Sequence, residues 1–244
     1  MASPSLLSSK PIPPAERLIV ALDVDGADEA RAVVDRLGDT VVFYKLGLQV
    51  FMSDGYFKLV DELRSVGKRV FVDLKFFDVP ETVGSAVRAL ARHDVTFATV
   101  HGNDAILKSA CAARGKIKIL AVTVLTSLDQ KDIEDLGFPC NLEELTLSRA
   151  RKALELGCDG VISSGLEAPK LRAELGERLI IVAPGIRPLE QKVSQDDQKR
   201  IVDVERAFRN GADYIVVGRP IRKAPDPRAA AAEIQKTIRR VFTS

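Results

Sequence analysis

The feature that most restricts this fold is an alternation repeated eight times: a short apolar run, a polar strand end, then a helical segment. Residues 18–22 are apolar and stop at Asp23, and residues 41–44 stop at Lys45. Residues 70–72 lead to Asp73 and Lys75, residues 97–100 to His101, and residues 117–125 to Thr126 and Ser127. Residues 160–163 form a sixth run, 179–183 reach Arg187 through Pro184-Gly185, and 214–217 reach Gly218-Arg219. Between the runs, apolar residues recur at helical spacing, as in Ala30, Val33, Val34 and Leu37 with Gly38 as the stop, and the same spacing predicts helices over 49–66, 81–92, 104–113, 142–156, 168–175, 204–210 and 227–241. Continuous β-branched and aliphatic runs suit a parallel sheet covered on both faces. Eight such units in one chain of 244 residues are the arithmetic of a (β/α)₈ barrel, with a doubly wound open sheet as the competing architecture. The polar strand ends favour the barrel, because residues on seven different strands converge only if the sheet closes.

Strand three carries the densest charge, Asp73-Leu74-Lys75-Phe76-Phe77-Asp78. In an extended chain, residues two apart share a face, so Asp73 and Lys75 are expected to point into one site. Pro80 then suits the first turn of a helix. The same letters also fit an ordinary strand-end ion pair. Two glycine turns, at Gly185 with Arg187 and at Gly218 with Arg219, fall after strands seven and eight, where barrels of this kind frequently hold phosphate. A glycine turn beside a surface arginine would read alike. The polar segment 188–200 between them reads as a lid in which Gln198 is an uncharged donor for a phosphate oxygen, or as a plain solvated loop. Lys45, Asp73, Lys75 and Asp78 together offer fixed carboxylates beside fixed ammonium groups, with no nucleophile–base pair among them. Such a set suits stabilising negative charge on carbon and then delivering a proton.

Composition closes off other classes. Thirty-six basic and 34 acidic residues leave a formal charge of +2, so neither a nucleic-acid footprint nor a basic membrane patch is present. No apolar run approaches a membrane span. Cys111, Cys140 and Cys158 are widely spaced and read as free thiols of a reducing compartment, and neither His93 nor His101 stands at zinc-ligand spacing from them. Residues 1–15, with four prolines and no charged start before an apolar core, read as a flexible arm rather than a secretory signal, ahead of a single barrel domain over 16–244. A cytoplasmic location is the default expectation.

Eight motifs occur in order: Ala21-Leu22-Asp23, Lys45-Leu46-Gly47, the run 73–82 (DLKFFDVPET), Val100-His101-Gly102, Leu125-Thr126-Ser127, the run 184–188 (PGIRP), Asp197-Gln198-Lys199-Arg200 and the run 217–221 (VGRPI). Together they closely resemble the orotidine 5′-phosphate decarboxylase family of the bacterial type, from about residue 17 to the last helix. That resemblance implies a (β/α)₈ barrel that converts orotidine 5′-monophosphate to UMP and CO₂ without metal or organic cofactor. It implies that Lys75 stabilises and protonates a C6 carbanion, that Asp73 faces the departing CO₂, and that Lys45 and Asp23 hold the ribose hydroxyls and the charged network. By the same resemblance, Asp78 and Thr82 reach into the site of a second subunit of a homodimer, Ser127 reads the pyrimidine, and Gln198, Gly218, Arg219 and Arg187 serve the phosphate. Val79 and Glu81 stand where isoleucine and asparagine are common, and neither substitution touches a charged role. Two alternatives stay open: a magnesium-dependent sugar-phosphate decarboxylase of the same superfamily, and a non-catalytic phosphate-binding barrel. Against the first, Val70, Val72 and Leu74 leave strand three without an added acidic metal ligand. Against the second, none of the four charged residues is missing.

Overall fold

The computed structural model describes residues 6–187 and 202–243. Eight parallel strands close on themselves in chain order: β1 (Leu18–Ala21), β2 (Phe43–Gly47), β3 (Arg69–Phe76), β4 (Phe97–Val100), β5 (Lys118–Val122), β6 (Gly160–Ile162), β7 (Ile180–Ala183) and β8 (Tyr214–Val217). Around them run α1 (Ala27–Leu37), α2 (Leu48–Phe51), α3 (Tyr56–Ser65), α4 (Pro80–Leu90), α5 (Asp104–Ala113), α6 (Gln130–Asp135), α7 (Leu142–Glu155), α8 (Ala168–Leu175), α9 (Val204–Arg209), α10 (Arg219–Arg222) and α11 (Pro227–Thr243). The sequence expectation of a (β/α)₈ barrel is met. Among the described residues no helix is long and apolar enough to cross a membrane.

Period-two alternation along each strand separates two apolar layers. One set, including Leu18, Val20, Tyr44, Leu46, Val70 and Val72, packs outward under the helices. The other fills the barrel: Ile19, Phe43, Phe71, Phe97, Leu120, Val182, Tyr214 and Val216. Its aromatic rings meet at 5.1 Å (Phe97–Tyr214), 5.3 Å (Phe43–Phe97) and 5.9 Å (Phe71–Phe97), forming a solid floor. Each buried phenylalanine contributes about 1.5–3 kcal/mol relative to exposure. Two residues further along three of these strands, the same face carries Lys45, Asp73 and Thr99. The aromatic layer therefore seats the polar layer above it.

The barrel's other end is tied by charge. Asp213, fully buried ahead of β8, accepts from Arg172 Nη2 at 2.8 Å, the Ile181 amide at 2.8 Å, Lys10 Nζ at 3.0 Å and the Ser8 hydroxyl. Arg17 donates to the Asp213 carbonyl at 3.1 Å and lies 3.7 Å over the Phe242 ring of α11. Ser8, Lys10 and Arg17, the last helix and the β1–β8 seam thus meet in one place.

Candidate active site

The C-terminal ends of the strands surround a cavity of about 550 Å³, floored by Phe71, Ile162 and Val216. Asp73 lines it and is buried. Lys75 Nζ reaches Asp73 Oδ1 at 2.9 Å, while Lys45 Nζ lies 3.3 Å from Asp73 Oδ2 and donates to Asp23 Oδ1 at 3.1 Å. The charges alternate Asp23, Lys45, Asp73, Lys75, so each ionised group has an opposite neighbour. Burial opposes charge on Asp73, yet Lys45, Lys75 and hydrogen bonds from Lys75 and Thr99 hold its carboxyl below the usual range. Burial likewise opposes the Lys45 ammonium, and Asp73 and Asp23 outweigh it, raising that group above an ordinary lysine. A Cβ at Gly47 would sit 3.1 Å from Lys45 Nζ and 3.3 Å from Asp23 Oδ1, so the glycine leaves room for this pair.

Two details of the sequence expectation need correcting. Lys45 lies inside β2, which runs to Gly47, because pairing with β3 continues as far as Gly47 opposite Asp73. Nor is Lys75 in extended backbone: its φ is +48°, and the β3–β4 register shifts between Val72 and Phe76. Asp73 and Lys75 still meet, but across a bulge rather than along a regular strand. A non-glycine residue at positive φ is uncommon, and such strain concentrates at functional sites.

Around the rim stand Ser127 after β5, Gly185 and Arg187 after β7, and Gly218 and Arg219 after β8. The Arg187 amide donates to the Val202 carbonyl at 3.0 Å, and Ile186 and Val202 form a parallel bridge, so both flanks of segment 188–201 are joined. Gln198 lies outside the described residues. Asp78 and Thr82 do not line the cavity of their own chain. Both are exposed, Asp78 accepting from the Val79 amide at 2.6 Å and Thr82 lying in the first turn of α4. Three lining or supporting residues escape the sequence reading: Gln49, Arg222 and Thr99. Period-two spacing from Phe97 could have marked Thr99 as inward-facing. Among the described residues, no three His, Cys, Asp or Glu side chains gather as a metal-binding group.

Polar residues from separate strands, convergent at the C-terminal mouth of a closed β/α barrel, define a barrel enzyme of the strand-end class. Residues 16–234 match the family described as orotidine 5′-phosphate decarboxylase / HUMPS. A Methylococcus capsulatus protein named orotidine 5′-phosphate decarboxylase is 63% identical over 241 residues, covering 99% of both chains. Its namesake from Xanthomonas euvesicatoria is 51% identical over 237 residues, 96% of this chain and 97% of that one. The crystal structure of orotidine 5′-phosphate decarboxylase from Lactobacillus acidophilus superposes with a TM-score of 0.81 at 35% identity, across 91% of this chain and 99% of that one. This chain belongs to the orotidine 5′-phosphate decarboxylase / HUMPS family.

Proposed function

We propose that this chain decarboxylates orotidine 5′-monophosphate to UMP and CO₂, a step of pyrimidine biosynthesis, as a carboxy-lyase. The observation that carries the reading is the Lys45–Asp73–Lys75 array set over an apolar floor, in a cavity with arginines at one rim. A cavity of about 550 Å³ is of the size that small-molecule sites use. With the phosphate at Arg187, Arg219 and Gly218 and the pyrimidine at Ser127, the substrate carboxylate comes to Asp73 and C6 to Lys75. The C6–carboxylate bond breaks, CO₂ departs, and the electron pair stays on C6, where the Lys75 ammonium stabilises it and then supplies the proton. Asp73 places negative charge against the carboxylate in the ground state, and that repulsion is relieved as neutral CO₂ leaves. Lys45 and Asp23 hold the ribose hydroxyls. Gln198 is assigned to the phosphate by the family resemblance alone. Charge stabilisation in this scheme comes from lysine, so it calls on no metal or organic cofactor.

The proposal extends to the assembly. Asp78 and Thr82 serve the site of a second copy of the chain in a homodimer. Support comes from their position outside their own cavity and from Phe77 and Val79, 68% and 62% exposed on either side of Asp78. Apolar side chains so placed suit burial against another subunit. The catalytic domain spans 16–244, preceded by the arm, and the enzyme works in the cytoplasm.

The test is loss of orotidylate absorbance in excess EDTA, with wild type and Lys75→Ala side by side. Wild type should turn over and the variant should fall by at least about 10²–10³-fold while keeping its fold. A wild-type protein that leaves orotidylate unchanged under these conditions would overturn the reading.

A further inference from the structure

We infer that Thr99 is a positioning residue that fixes Asp73 and Lys75 relative to each other through one hydroxyl. The inference rests on the decarboxylase reading and adds a residue to it. Thr99 is fully buried on β4. Its Oγ1 lies 2.9 Å from Asp73 Oδ1 and 3.0 Å from the Lys75 amide nitrogen. The direction of both bonds is settled by chemistry. An amide N–H can only donate, so the hydroxyl oxygen accepts it. An ionised carboxylate can only accept, so the hydroxyl proton goes to Asp73.

The position of this hydroxyl coincides with the bulge. Between Val72 and Phe76 the β3–β4 register shifts, and Lys75 takes a φ of +48°. Regular pairing resumes at Phe76, whose carbonyl accepts from the His101 amide at 3.0 Å. The Lys75 N–H therefore finds its partner in a side chain, and the strained residue is held by Thr99. Besides this hydroxyl, Asp73 faces Lys45 from β2, Lys75 from β3, Asp23 through Lys45, and Tyr56 of α3, whose hydroxyl donates to the Leu46 carbonyl at 3.2 Å. Thr99 is thus the neutral donor in a ring of charges, stabilising the carboxylate without adding charge. Losing it leaves the part-buried Lys75 amide without this partner and one carboxylate oxygen short of a bond.

Thr99→Val removes the hydroxyl at nearly constant shape. Thr99→Ala and Thr99→Ser both shrink the side chain and differ from each other by one oxygen, so that pair remains informative if the valine variant fails to fold. Relative to Ser, Ala should lose about 10- to 100-fold in kcat, the range for a hydrogen bond to a charged group. KM should change much less, and the acid limb of the kcat/KM profile should move to higher pH as Asp73 becomes easier to protonate. A ¹³C carboxyl titration of Asp73 in the free protein should show the same upward move in Ala and its reversal in Ser. Equal kcat and equal titration in Ala and Ser would overturn the inference, as would a fall in kcat with no movement of either pH readout. If wild type itself fails to turn over orotidylate, the decarboxylase reading falls, and the Asp73 titration alone still decides the role of Thr99.

Discussion

Arg219 and Arg222 lie three residues apart on α10, and both line the cavity. Arg222 Nε is buried with no hydrogen-bond partner among the described residues. Replacing either with alanine should lower kcat/KM on orotidine 5′-monophosphate by about 10- to 100-fold, the worth of a charged hydrogen bond. Phosphate-free orotidine should be turned over at nearly unchanged rate, because the lost cation has no counterpart there. Equal damage to both substrates would make these arginines supports of the barrel. Sequence could point to Arg219, since it ends an apolar run directly after glycine. Arg222, beyond Pro220-Ile221, reads as an ordinary surface residue, and only the fold turns it inward. Thr99 was hidden for a different reason: inside an apolar strand, a β-branched threonine reads as sheet filler. The strained backbone at Lys75 comes from register with a neighbouring strand, which residue spacing within one strand cannot report.

Strands were more legible than the short helices between them. Every strand run is recovered, and α5 and α8 have the bounds that periodicity predicts. The predicted helix 49–66 is instead α2 and α3, parted at Gly55, whose φ of +84° is left-handed backbone. α6 and α10, of six and four residues, are too short to show a helical period. Two glycines make element packing testable. In β6, a Cβ at Gly160 would fall 2.2 Å from the Ile180 carbonyl oxygen of β7, which is backbone and has nowhere to go. In α4, a Cβ at Gly84 would meet the Ser109 hydroxyl of α5 at 2.5 Å, the end of a side chain that can rotate away. Gly160→Ala should therefore destabilise by about 1–3 kcal/mol or more. Gly84→Ala should be neutral or stabilising by up to about 1 kcal/mol, the helix-propensity gain. Urea denaturation of both variants checks the order, and a reversed ranking would refute the packing assigned to these elements.

At the scale of the whole molecule, the proposed homodimer with shared sites has a direct consequence for mixtures. An inactive Lys75→Ala dimer and an inactive Asp78→Ala dimer, allowed to exchange subunits, form heterodimers in which one site carries both substitutions and the other is intact. Each heterodimer should then recover about half of wild-type activity, and random exchange about a quarter overall. Mass spectrometry showing exchange without recovered turnover would assign Asp78 to its own chain. The meeting of Arg17, Asp213 and Phe242 at the β1–β8 seam has a further consequence, for the order in which this molecule can be made. A ribosome releases β1 first, and its second neighbour, β8, only after some 190 further residues. Until then the growing sheet keeps two open edges, the kind of surface that pairs with the wrong strand. Closure of the sheet waits for β8, and the Arg17–Phe242 contact waits for α11. A chain that stalls shortly before residue 214 is thus an open ribbon of seven strands rather than a barrel lacking one stave, and its rescue falls to whatever shields nascent edges in the cell.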